Sequence, residues 1–450
     1  MKRDMTVGKE WKHILLFSLP IMAGNLLQQL YNTADSIIVG QFVNEDAFSG
    51  VVTNAPLTYF FVSFAIGLSI GAGVVIAQYF GAGKHDDLPV SIDSALILLG
   101  ACGLILTLIA FFFAPILLRY ILSVPEDVMP FALTYFRIYA LGLFFQFIYN
   151  SIAATLRGLG DSKAVLLFLV VATILNIVLD LLFVAVFKWS VMGAAIATVI
   201  AQVACAVVSY LYLRKRFPFS RSADHWNRKT AITMTKLGLP VAIQQCLVSV
   251  GQGSMQRLVN SFGSAVPGLI AAYGAGYRLD YFIFAPSQGF QSGMASFSGQ
   301  NMGAGKLDRV KRGLLMTLAM SLSLCVAMSI LLYVFAGPIM TIFGLTGDAY
   351  TIGIEQIRFL SMFFWVFTSY VCFAGLLQGA GDTMVLSATT LSGIALRIAA
   401  GYSLVYFGIL GYSAAWTTYP ITWAFSLIVL GTRFFIGKWK KKAVAGVLAK

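Results

Sequence analysis

Apolar runs of roughly 20 to 27 residues recur along the whole of this 450-residue chain, and a helix of that length crosses a hydrocarbon layer about 30 Å thick. Twelve such runs are counted: 14–40, 53–80, 91–118, 128–153, 164–187 and 191–213, then, after a polar gap, 237–262, 269–300, 314–335, 352–377, 384–407 and 410–435. Only 11% of the side chains are charged and 59% are hydrophobic. A soluble surface carries about a quarter charged residues, so lipid is the solvent for most of this chain. The expected fold class is all-α integral membrane. Lys2, Arg3, Lys9 and Lys12 precede a first run that is too long for a signal-peptide core and has no small-residue cleavage site, which makes it the first span. The five cysteines all fall inside apolar runs and read as free, buried thiols.

The net charge of +13 points to topology rather than to nucleic acid. With both termini inside, the inner segments hold 24 of the 31 lysines and arginines, the outer loops hold Arg119 and Lys188, and Arg137, Arg257, Arg278, Arg358 and Arg397 lie within spans. Basic residues mark the cytoplasmic side of a membrane protein. The basic clusters lack the interleaved stacking aromatics of a nucleic-acid binder. The chain is therefore expected in the plasma membrane of a bacterium or archaeon, multi-pass, with both termini cytoplasmic.

The chain also nearly repeats itself at a period of about 220 residues. Leu19-Pro20 recurs as Leu239-Pro240, and the turn Gly81-Ala82-Gly83-Lys84 recurs as Gly303-Ala304-Gly305-Lys306. Arg137 aligns with Arg358, and Gly158-Leu159-Gly160-Asp161 with Gly379-Ala380-Gly381-Asp382. Six spans separate equivalent points, so the two six-helix repeats are parallel: a lobe at 1–213, a linker at 214–236 and a second lobe with a basic tail at 237–450. Two such halves with a substrate path between them are a recurrent transporter plan. The glycine turns follow no strand and lack nucleotide-binding spacing, so they read as tight turns that use positive φ.

Polar residues that break the repeat inside the membrane are the informative ones, because an ionisable group there is costly and by default functional. Asn176 and Asp180, four apart, share one face of a helix. Asp35, Asp180 and Thr198 each lie about seven residues from the outer end of their span, roughly 10 Å deep at about 1.5 Å per residue. The repeat pairs Asp35 with Met255, Asn176 with Arg397, Asp180 with Gly401 and Thr198 with Trp416, so the second half has lost the cluster. Oxygen donors of this kind suit a sodium ion, and two close carboxylates equally suit a proton. Tyr31, one turn before Asp35, is a candidate to orient it, and Asn150 a candidate to support the cavity. A second polar set, Gln252, Gln256 and Arg257 with Arg278 and Asp280, is a candidate substrate cavity, in which Asp280 is expected to pair with Arg257 or Arg278.

Leu19-Pro20, Asp35 within Thr33-Ala34-Asp35, Val39-Gly40, the two Gly-Ala-Gly turns and Leu156-Arg157-Gly158 resemble those of the multidrug and toxic compound extrusion (MATE) family, among the flippase-like exporters. The resemblance covers essentially the whole chain. It implies antiport, with Na+ or H+ entering while small cationic or amphipathic organic compounds leave, and a cation site on Asp35, Asn176, Asp180 and Thr198. It implies no cofactor beyond the coupling ion, and a monomer surrounded by membrane lipid. Acidic residues that other branches carry in the seventh span are replaced here by glutamines and Met255.

The rival within transport is a flippase for lipid-linked saccharides or anionic lipids, which would hold phosphates with Arg257, Arg278 and Arg397. A major-facilitator transporter is disfavoured because its basic-rich turn between spans two and three is replaced by Gly-Ala-Gly-Lys-His-Asp-Asp. An enzyme is not expected: His13, His85 and His225 lie in loops or at a span end, without metal-ligand spacing.

Overall fold

The computed structural model describes residues 4–42, 49–51, 53–122, 124–217 and 225–443, and of 29–42 the helical backbone alone. Among these residues there are helices and turns and no strand. Twelve long helices follow in order: α1 (Glu10–Phe42), α2 (Ala55–Gly81), α3 (Asp87–Phe112), α4 (Met129–Gly158), α5 (Ser162–Asp180) and α6 (Ser190–Arg216), then α7 (Arg228–Ser261), α8 (Leu269–Gly303), α9 (Leu307–Val334), α10 in two arms (Gly347–Ser361 and Phe364–Ala380), α11 (Thr383–Tyr406) and α12 (Ala414–Ile436). Nine helices among the described residues are long and apolar enough to span a membrane, and ten if the arms of α10, bent by 48°, form one span.

The helices are inside out relative to those of a soluble protein. On α5, Leu167, Val171, Ile174 and Val178 form an exposed stripe at helical spacing, whereas Thr173, Asn176 and Asp180 are buried. Water would reverse that pattern; lipid favours it, because the polar groups find partners only inside. All five cysteines are free thiols. α7 begins at Arg228, inside the expected linker, and runs unbroken through Pro240; α1 likewise runs through Pro20.

The internal repeat is written in the backbone. Gly83 and Gly305 both adopt φ +70°, and Gly160 and Gly381 adopt +83° and +88°, conformations open to glycine for want of a Cβ. The hydrogen bonds match as well: Lys84 N–H to Tyr79 O at 3.1 Å and Lys306 N–H to Asn301 O at 2.8 Å, then Asp161 N–H to Leu156 O at 2.8 Å and Asp382 N–H to Leu377 O at 2.9 Å. Each turn aspartate then holds an arginine at the end of a later helix, Asp161 with Arg216 at 2.8 Å and Asp382 with Arg433 at 2.6 Å.

The chain forms two compact units, and their limits cut through α1 and α7 rather than falling in the polar linker. One comprises Met1–Asp4 with Leu19–Cys246 and the other Met5–Ser18 with Leu247–Lys450. In the first unit the start of α7 packs on α2 at bare backbone: a Cβ on Gly71 would collide with Met234 O and one on Gly67 with the Ala242 backbone. In the second, residues before and within the start of α1 are tied to the end of α8 and the start of α9. Met5 N–H donates to Gln300 Oε1 (2.9 Å), Asn301 Nδ2 to Met5 O (3.2 Å) and Arg309 to Gly8 O (2.9 Å). The second unit's core is rich in aromatic rings, with Phe284 and Phe367 centred 4.4 Å apart beside Trp423.

Candidate functional site

The first unit places three of the four expected cation-site residues together. α5 starts on Asp161, whose side chain accepts the Ala164 N–H (3.2 Å), the N-cap role for which a short acidic side chain suits a helix start. About four and five turns later Asn176 and Asp180 project inward and are 1% and 0% exposed. With its amide oriented to satisfy both ends, Asn176 Nδ2 donates to Asp180 Oδ2 (2.8 Å) and Oδ1 accepts the backbone N–H of Thr198 on α6 (3.3 Å). Thr198 is 6% exposed. The contribution of Thr198 to this link is thus its peptide N–H. The side chains of Tyr31 and Asp35 lie outside the described residues.

Two features of this site escape sequence reading. The helix does not end at Asp180 but widens over Leu181–Val186 into i→i+5 turns, a geometry that recurs at functional positions in helices. One turn beyond Thr198, Gln202 extends the polar column toward Tyr139 of α4, with its Oε1 buried and unpartnered among the described residues. Gly142 makes this approach possible, since a Cβ there would collide with Gln202 Oε1. The spacing of Thr198 and Gln202, four apart on α6, is the signal that finds Gln202. Asn150 is 8% exposed and donates to Gln146 O on its own helix (2.8 Å).

The second unit shows what replaced the cluster. Gly401 stands against Met255: a Cβ built on the glycine would lie 3.3 Å from Met255 Cε. Arg397, the partner of Asn176 in the repeat, reaches α12 as Asn176 reaches α6, donating to Ala415 O (3.4 Å). Its guanidinium lies 3.3 Å from the centre of the Tyr419 ring, a cation–π contact that stabilises a desolvated arginine.

The expected pairing of Asp280 with Arg257 or Arg278 is not what the structure has. Asp280 is 1% exposed, whereas Arg257 and Arg278 face outward; among the described residues no ion pair joins Asp280 to an arginine, and Arg397 acts on it only through space. Two residues apart on α8, Arg278 and Asp280 point to different sides of the helix, which separates them. Gln252 is exposed, and Gln256 donates to Asn260 on its own helix (2.9 Å). The candidate cavity set is therefore split, with Asp280 in the core and the other four residues outside it.

Known proteins corroborate the fold and its duplication. The MatE family model matches twice, over residues 20–182 and 240–403, once in each sequence half. A probable multidrug resistance protein of Bacillus subtilis, YpnP, is 28% identical over 441 residues, 97% of each chain. A second from the same organism, YoeA, is 27% identical over 97% of this chain and 96% of its own. Among solved structures, an outward-facing multidrug resistance MATE transporter of the MOP superfamily superposes with a TM-score of 0.89, over 97% of this chain and 98% of its own at 22% identity. The duplicated match, spanning most of both halves, makes this chain a member of the MatE family, a multi-pass MATE transporter of the membrane.

Proposed function

We propose that the chain is a cation-coupled antiporter that exports small cationic or amphipathic organic compounds by alternating access. The observation that carries this reading is the fully buried Asp180, held by Asn176, in one half of a duplicated protein whose other half has glycine at the matching position. A buried carboxylate is costly and persists where its charge is used. Asp35 is the proposed second carboxylate. The relatives named as multidrug resistance proteins support the substrate class.

The donor set admits Na+ or H+, and the two differ in one movement. Asn176 now turns its N–H toward Asp180; a sodium ion there requires the amide to rotate and present its oxygen, whereas a proton on Asp180 does not. The ion must bind one conformation more tightly than the other, since only differential affinity shifts the equilibrium. One charge moved fully across the membrane adds about 2.3 kcal/mol per 100 mV. The transporter acts as a monomer in the plasma membrane, with its basic turns and both termini in the cytoplasm, and no enzymatic step or cofactor is involved. The rival reading, a lipid flippase gripping phosphate with Arg257, Arg278 and Arg397 together, is disfavoured because Arg397 is buried on Tyr419 while Arg257 and Arg278 face outward.

The test is efflux of a fluorescent organic cation from vesicles under a sodium gradient and a pH gradient applied separately, with the native chain, Asp35→Asn and Asp180→Asn. Efflux driven by one gradient and abolished in both folded variants upholds antiport and names the ion. Undiminished efflux in both variants overturns it.

A further inference from the structure

The turn between α8 and α9 forms one side of a cavity of about 470 Å³ walled by Lys306, Asp308, Arg309, Lys311, Arg312 and Lys440, all within the second unit. Part of this charge is already used. Asp308 pairs with Lys311 (3.1 Å), and Glu10 pairs with both Arg309 and Arg312 (3.3 Å each). Lys306 donates to Thr6 O (3.0 Å). Five cations against these two carboxylates still leave a surplus of three positive charges around one hollow. Lys311 and Arg312 keep 44% and 62% of their side-chain surface open.

Topology alone does not account for this. The same turn in the first half is Gly81-Ala82-Gly83-Lys84-His85-Asp86-Asp87, and the repeat sets Asp87 against Arg309, Pro89 against Lys311 and Val90 against Arg312. Both turns belong to the same face in the repeat, so a rule that only marks that face requires no such difference. The charge is specific to the second half. Nor is Lys440 on a loose tail. The neighbouring Trp439 is fully buried, stacks on Phe434 (ring centres 5.7 Å apart, 8° between planes) and donates to Phe434 O (3.0 Å), and this fixes the Lys438–Lys442 turn that carries Lys440. Immediately before that turn, Phe435 and Ile436 are 81% and 61% exposed. A fixed cationic hollow beside bare apolar side chains matches an amphiphile with a charged head, and basic pockets at helix ends bind anionic headgroups.

We propose that this cavity binds the phosphate of an anionic phospholipid, with Lys311, Arg312 and Lys440 as its ligands and the acyl chains along Phe435 and Ile436. The site is independent of the cation site and of the direction of transport.

Native mass spectrometry of the full chain in detergent, titrated with phosphatidylglycerol or phosphatidylcholine, tests it. The native protein retains phosphatidylglycerol preferentially. Each basic group near an anionic surface contributes roughly fivefold, so Lys311→Gln/Arg312→Gln/Lys440→Gln weakens retention by about 100-fold, while Lys441→Gln, outside the cavity wall, leaves it within about twofold of native. Unchanged melting temperatures verify folding, and Lys440→Gln alone, with an expected loss of about fivefold, serves if the triple variant does not fold. Equal retention of the two lipids by the native chain, or undiminished phosphatidylglycerol binding by the variants, overturns the proposal. Soluble glycerol phosphate competing as well as the lipid also overturns it, by assigning the cavity to a free phosphate ester.

Discussion

Gly401 faces Met255, so that a Cβ added to the glycine would lie 3.3 Å from the Met255 thioether methyl. They are the positions that the internal repeat pairs with Asp180 and Asp35. The two halves share turn geometry to a few degrees of φ, and this contact in the second half falls on the pair of positions that carry the two proposed cation-site carboxylates in the first. Two neighbouring carboxylates that hold one ion act as a unit, and units are non-additive. Asp35→Asn and Asp180→Asn should therefore each abolish ion-driven efflux, and the double variant should be no worse than either single one. Additive losses in vesicle efflux would show two independent sites.

Asn176 bridges α5 and α6, and its link to α6 ends on the peptide N–H of Thr198. A hydrogen bond to a charged group contributes about 1.5–3 kcal/mol, so Asn176→Ala should raise the cation concentration for half-maximal efflux by about tenfold or more. Thr198→Ala keeps its peptide N–H and should stay within about threefold of native. A Thr198→Ala defect as large as that of Asn176→Ala would assign the hydroxyl directly to the ion.

Asp280 and Arg397, both buried in the second half but not in ion-pair contact, yield a different pattern. Where two buried charges compensate each other, removing one costs about 3–5 kcal/mol, whereas an apolar replacement of both is often neutral. Arg397→Met and Asp280→Leu should each lower the melting temperature of the detergent-solubilised protein, and the double variant should recover most of the loss. Thermal unfolding of the four proteins measures this. Recovery of stability with efflux intact would make the pair structural; recovery of stability without efflux would place Arg397 or Asp280 in transport.

The helices, the repeat and the meeting of Asn176, Asp180 and Thr198, the proposed cation site, are legible in the sequence because lipid imposes a simple rule. Apolar length reports a span, and a polar residue within it reports a partner. What is not legible depends on packing across helices. The contact of Arg397 with Tyr419 and its action on Asp280 join α8, α11 and α12 at sequence distances that no periodicity encodes. The 48° break in α10 between Ser361 and Phe364 has no proline or glycine to announce it. The wider turns after Asp180 are likewise a local choice of hydrogen-bond partner among apolar residues. Gln202 lay within reach, four residues from Thr198, and was hidden because a lone glutamine in a span reads as packing until Tyr139 is seen opposite.

Two glycines of the first unit should respond in opposite ways to a single methyl group. A Cβ on Gly71 meets backbone, the Met234 carbonyl and the Gly238 N–H (N 2.6 Å away), so Gly71→Ala must force α2 away from the start of α7. Overpacking of this kind costs about 1–3 kcal/mol. A Cβ on Gly142 meets the end of a flexible side chain, Gln202, which can swing away. Gly142→Ala should therefore cost about 1 kcal/mol, for moving Gln202 and pressing on Val199, whose Cγ2 would lie 3.2 Å from the new Cβ, and melt within a few degrees of native. Because Gln202 is a turn from Thr198, Gly142→Ala should still change the ion dependence of efflux, while Gly71→Ala should lower the melting temperature first. A Gly142→Ala variant that is native in both respects would remove Gln202 from the site.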